Sequence, residues 1–93
     1  MSDPAFKALS DPTRREILRL LSRRDLAVHE IVERFGLSQP AISRHLAVLR
    51  AAGLVSATRQ GQNVVYSLDT TVVQDVVRIL LGVVGKRTGK GSP

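Results

Sequence analysis

The stretch that decides the fold is Leu37-Ser38-Gln39-Pro40-Ala41-Ile42-Ser43-Arg44-His45-Leu46-Ala47-Val48-Leu49-Arg50-Ala51-Ala52-Gly53. Ser38 suits an N-cap, since its hydroxyl can accept from a free N–H of the first turn, and Pro40 falls where a helix needs no donor. Ile42, Leu46 and Leu49 recur at i, i+4 and i+7, which defines one buried face, and Gly53 stops the helix. Pro40, Arg44, Ala47 and Ala51 then lie opposite, with Ser43 on the flank. Small side chains there allow close approach to another surface, and Gln39, Ser43 and Arg44 can donate or accept along it. An ordinary solvated face is the competing explanation. Against it, no Asp or Glu occurs from Phe35 to Leu68, whereas Arg44, Arg50 and Arg59 do. That imbalance suits a polyanion. His45 sits beside the apolar face, where helix packing or phosphate contact is as well served as base reading.

Upstream, Val28, Ile31, Val32 and Phe35 form one face of an amphipathic helix that ends at Gly36, and Leu37 is expected to point back to the core. Ser2-Asp3-Pro4 and Ser10-Asp11-Pro12 each place a capping carboxylate before a helix-starting proline. The first opens a short helix with Phe6 and Leu9. The second opens a helix over about Pro12 to Arg23, with Ile17, Leu18, Leu20 and Leu21 as its stripe. Arg14, Arg15, Arg19, Arg23 and Arg24 cluster along it and read mostly as a solvated face.

Downstream of Leu54 the period changes to two. Val55, Ala57 and Arg59 alternate with Ser56 and Thr58, and Val64, Tyr66 and Leu68 alternate with Val65 and Ser67. The polar connection Arg59-Gln60-Gly61-Gln62-Asn63 makes this a β-hairpin. Asp69-Thr70-Thr71 caps a last helix, roughly Thr71 to Val84, and no internal repeat is present. The reading is mainly α with a β-hairpin wing, a winged helix-turn-helix of order α-α-α-α-β-β-α. The domain spans 1–85, and 86–93 is expected to be a basic, disordered tail.

Composition narrows the function. Ninety-three residues allow one domain with a thin core, so a partner chain is expected to stabilise it. Fourteen Lys plus Arg against eight Asp plus Glu leave +6, and eleven of those cations are Arg, whose planar fork suits phosphate and guanine. There is no cysteine, hence no disulfide and no thiolate metal site. Neither a carboxylate pair, a nucleophile–histidine–acid set nor a Gly-rich phosphate loop appears, so an enzyme is not expected and neither is a cofactor. Phe6, Phe35 and Tyr66 fall on apolar faces, which serves stacking of RNA bases poorly. The apolar run Val72 to Val84 is broken by Gln74, Asp75 and Arg78, and no signal pattern opens the chain. The expectation is a cytoplasmic protein without membrane insertion.

Two surfaces follow from this reading. The first meets double-stranded DNA: Ser38, Gln39, Pro40, Ser43 and Arg44 at the helix, whose free N–H groups also favour a phosphate, and Arg59, Gln60 and Gln62 at the wing for sugar–phosphate or minor-groove contact. The second lies on the last helix. Val72, Val76, Ile79, Leu80 and Val83 form a stripe able to cover the core, and Val73, Val77, Leu81 and Val84 form another about 100° round. The second stripe, extended by Phe6 and Leu9, is expected to pair with its twofold mate in a homodimer that reads an inverted-repeat operator. A regulatory protein docked on that helix is the alternative partner.

Three separated motifs carry a resemblance. Leu9-Ser10-Asp11-Pro12-Thr13-Arg14-Arg15-Glu16-Ile17-Leu18, then Leu37 to Leu46, then Gly53-Leu54-Val55 with Gly61 and Tyr66-Ser67-Leu68, resemble the ArsR/SmtB family of bacterial repressors over about residues 5–84. Tyr66 to Asp75 further resembles its SdpR-type autorepressor subgroup. The resemblance implies a homodimeric winged-helix regulator with the first and last helices at the dimer interface. It also places Ser38, Gln39, Ser43, Arg44 and His45 on the operator. The family's thiolate metal site would correspond to Ala27, His29 and Val32, none a cysteine, and its last-helix site would need histidines that Thr71 to Lys86 lacks. Asp75 alone cannot hold a transition metal. No metal is therefore expected, with a non-standard site at His29, His45 or the N-terminal amine as the remaining alternative.

Overall fold

A computed structural model describes residues 3–88, with side chains as far as Val83. The elements are α1 (Pro4–Leu9), α2 (Pro12–Leu21), β1 (Leu26–Ala27), α3 (Val28–Phe35), α4 (Gln39–Ala51), β2 (Val55–Gln60), β3 (Asn63–Leu68) and α5 (Thr70–Thr88). This is a winged helix-turn-helix. Each of the first helices begins where its cap dictates. Asp3 accepts from the N–H of Ala5 at 2.8 Å, Asp11 from that of Arg14 at 3.1 Å, and Ser38 from that of Ala41 at 3.3 Å. Ala27 has no side-chain acceptor to offer α3. There Glu30 reaches back to the Ala27 N–H at 2.9 Å, which ties the helix start to β1.

The core is the meeting of the apolar stripes. Ile17 and Leu21 of α2, Ile31 of α3 and Ile42, Leu46 and Leu49 of α4 are buried together with Leu54, Val55 and Val76. At roughly 1.5–3 kcal/mol for each fully buried Leu or Ile, these contacts supply most of the drive to fold. Gly36 closes α3 at φ 65° and turns the chain into α4.

The structure departs from the sequence reading in several places. Strand β1, two residues long and too short to show a period, pairs antiparallel with β3, so the sheet has three strands in the order β1-β3-β2. The hairpin turns on two residues rather than five. Gln60 pairs with Asn63 across Gly61 and Gln62, and Gly61 at φ 63° supplies the left-handed first position of a II′-type turn. Leu37 is 38% exposed instead of returning to the core. Finally, α5 runs to Thr88, three residues into the segment expected to be a tail. The rest of that segment lies outside the described residues, as does the Val84 side chain.

The core-covering stripe of α5 is also shorter than its spacing suggests. Val72, Val73 and Val76 meet the core, but Ile79, Leu80 and Val83 are 55%, 48% and 66% exposed. The domain beneath ends before the helix does.

Candidate nucleic-acid interface

Helix α4 and the wing lie on one side of the molecule because β1 anchors the hairpin next to α3. Gln39 at the start of α4, His29 of α3 and Gln62, Asn63 and Val64 of the wing line a common groove of about 210 Å³. Gln39, Pro40, Ser43 and Arg44 are exposed, as are Ala47 and Ala51, so the outward face is the one the helical wheel predicts. Ser38 is exposed too, with its hydroxyl committed to the cap. Arg59 and Gln60 stand on β2 rather than in the turn, and Gln62 alone of the three occupies the turn itself. His29, exposed on α3, shares the groove with Gln39 and Gln62. Only the fold could reveal that.

The arginines differ in what their guanidinium groups meet. Arg19, Arg24 and Arg78 pair with Glu16, Glu30 and Asp75. Arg23, Arg34, Arg44, Arg50 and Arg59 make no ion pair or side-chain hydrogen bond among the described residues. Arg23 follows α2, and the other four lie on α3, α4 and β2. Guanidinium groups left without internal acceptors keep their full capacity to donate to an external anion.

Arg14 and Arg15 do not simply solvate a face, contrary to the sequence reading. Arg15 donates to the Leu9 carbonyl at 2.8 Å, and Arg14 donates through Nε to the Ala8 carbonyl at 2.8 Å. They satisfy the carbonyl end of α1, which lacks helical partners. Arg14 also lies 3.2 Å from His45 Nδ1, so His45, half-buried, is engaged in packing α4 against α2. No sequence signal marks this pair, since the two residues stand thirty-one positions apart. The carboxyl of Asp11 is held below its ordinary 3.8 chiefly by the Arg14 N–H, with desolvation opposing. That of Glu30 is held below 4.5 chiefly by the Ala27 N–H, again against desolvation, with Arg24 assisting.

The residues expected at a dimer seam are distributed unevenly. Val77 and Leu81 are 46% and 62% exposed, Phe6 is exposed, and Leu9 and Val73 are half-buried against the core. Leu9, Val73, Val76, Val77 and Leu80 line an apolar trough of about 560 Å³ between α2 and α5. Among the described residues, no three His, Cys, Asp or Glu side chains gather where a metal could be held, and no helix is long and apolar enough to cross a membrane.

A helix with an acid-free outward face, flanked by a wing on the same side, defines the class of winged helix-turn-helix DNA-binding domains. The model of the bacterial regulatory protein, arsR family, matches residues 11–57. The chain is 48% identical over 81 residues to the transcriptional repressor SdpR of Bacillus subtilis, covering 87% of itself and 90% of that protein. It is likewise 48% identical over 80 residues to the arsenic resistance transcriptional regulator ArsR1 of Pseudomonas putida, of whose greater length it spans 62%. An ArsR-like transcriptional regulator from Rhodococcus superposes with a TM-score of 0.78 at 33% identity, over 94% of this chain and 81% of that one. The chain belongs to the arsR family and is a DNA-binding transcriptional regulator.

Proposed function

We propose that this chain acts in the cytoplasm as a homodimeric repressor, reading an inverted-repeat operator that includes its own promoter. The observation that carries this reading is the unpaired arginine set on α3, α4 and β2, beside an outward face of α4 that holds no acid. In this reading Gln39, Ser43 and Arg44 reach base edges in the major groove, and Ser38 and Pro40 bring the N–H end of α4 to a phosphate. Arg59, Gln60 and Gln62 follow the backbone or minor groove. The likeness to SdpR, named as a repressor, supports the sign of regulation. Nothing of arsenic sensing passes from the ArsR1 relative, because a chain without cysteine lacks the thiolates that bind arsenic tightly.

The dimer rests on α5. Val77 and Leu81 are apolar and exposed on a helix that outruns its own core, and soluble monomers seldom leave such a patch uncovered. A twofold axis there would set two α4 helices about one DNA turn apart, roughly 34 Å.

The test is selection of bound fragments from genomic DNA by the purified protein, followed by titration at graded salt. A dimer that neutralises about six phosphates should lose on the order of 10³-fold in affinity between about 50 and 200 mM salt. Enrichment of an inverted repeat supports the reading. A flat salt profile with no enriched sequence refutes it.

A further inference from the structure

The guanidinium of Arg14 touches two helices at once. Its Nε donates to the Ala8 carbonyl at 2.8 Å, and one terminal nitrogen donates to the Lys7 carbonyl at 3.3 Å. The other terminal nitrogen lies 3.2 Å from His45 Nδ1. An arginine carries donors and no acceptor, so a ring nitrogen bonded to it must be unprotonated. The proton of a neutral imidazole then resides on Nε2.

We propose that Arg14 is a positioning residue for DNA binding, holding His45 in the Nε2–H form so that its ring presents one defined donor to the nucleic acid. This rests on the assignment of α4 as the DNA-reading helix. Arg14 cannot easily swing away, because the Ala8 carbonyl at the end of α1 would lose its donor, although the Lys7 carbonyl would keep the Ser10 hydroxyl at 2.6 Å. Its backbone is held as well, by the bond from its N–H to Asp11 at 3.1 Å. The charged groups around the ring are Arg14 itself and Asp11, whose carboxylate is committed to capping α2. His45 is half-buried, which limits how freely water can replace the guanidinium at Nδ1. A ring free to flip or change tautomer would offer an acceptor as often as a donor, and an acceptor facing a phosphate oxygen repels it. The same guanidinium joins the end of α1 to α4, so a shift of α1 would be felt at His45.

The chain has two histidines, which makes the test direct. Protein carrying ¹⁵N-histidine, examined at about pH 8 by long-range ¹H–¹⁵N correlation, should show His45 protonated at Nε2, with the His45→Gln variant assigning the signal. No DNA is needed for that measurement. Operator affinity is then compared in a double-mutant cycle. Arg14→Ala should weaken binding on the order of tenfold in the wild-type background and far less in a His45→Ala background. Thermal melts of the same variants report any loss of α1 anchoring separately. A ring protonated at Nδ1, or equal losses in both backgrounds, overturns the proposal while leaving the DNA-binding assignment intact. Failure of the wild-type protein to bind any duplex removes that assignment and the role of Arg14 with it.

Discussion

Arg44 and Arg59 are both exposed arginines without a partner acid, yet the proposed reading gives them different parts on DNA. In that reading Arg44, in the middle of α4, reaches a base edge, and a bidentate pair with guanine is worth about 1–3 kcal/mol of discrimination. Arg44→Ala should therefore weaken specific binding by that amount and spare non-specific binding. Arg59, on the exposed edge of the wing, should contribute to both alike. Competition titrations with and without the selected site read the difference, and equal losses for Arg44→Ala would make it a phosphate contact. Glu30 is the residue to watch in acid. Its carboxyl is lowered in the folded chain, so its contribution is complete above its unfolded value and disappears as pH falls through the folded one. The urea midpoint should drop as pH is taken from about 6 to 3, and Glu30→Gln should flatten part of that decline. An unchanged acid slope in the variant would show that the Ala27 bond contributes nothing to it.

Elements are where local sequence rules succeeded best. Asp3, Asp11 and Ser38 each cap the helix they precede, and Ile42, Leu46 and Leu49 are buried as their spacing requires. Gly36 offers a clean test of why α3 ends where it does. A Cβ at that position would meet nothing within 4 Å, so an Ala there suffers only from its left-handed backbone. Gly36→Ala should cost about 1–2 kcal/mol in denaturant unfolding. A neutral effect would mean that the α3–α4 turn can adopt another conformation. The wing shows the limit of the same rules. Alternation placed both strands correctly, but the two-residue turn and the pairing with β1 depend on register, which a polar five-residue connection leaves open.

At the scale of the whole molecule, α5 sets the shape. The chain measures 55 Å by 25 Å by 22 Å, with a radius of gyration of 15.3 Å where a compact chain of this length would have about 12 Å. The long helix leaves Ile79, Leu80, Leu81 and Val83 in water, more apolar surface than one seam stripe accounts for. We expect Val77→Glu or Leu81→Glu to yield a monomer that binds the operator far more weakly, with α4 untouched. Each would place a charge in a surface whose burial is worth about 1.5–3 kcal/mol per Val or Leu. Sedimentation of either variant as a stable dimer would overturn the proposed interface.

By itself the sequence determined the starts of the capped helices, the apolar faces of α2, α3 and α4, the hairpin and the acid-free stretch from Phe35 to Leu68, because caps, periods and charge are local properties of the chain. It also carried the family motifs. Only the tertiary structure decided which arginines are left without a partner. Arg14 and Arg15 look in the sequence like Arg44, but the end of α1 folds against them and takes their donors. The third strand, the neighbourhood of His29 and the Arg14–His45 contact arise in the same way. Each joins residues far apart in the chain, and nothing local encodes which distant group will arrive to satisfy a donor.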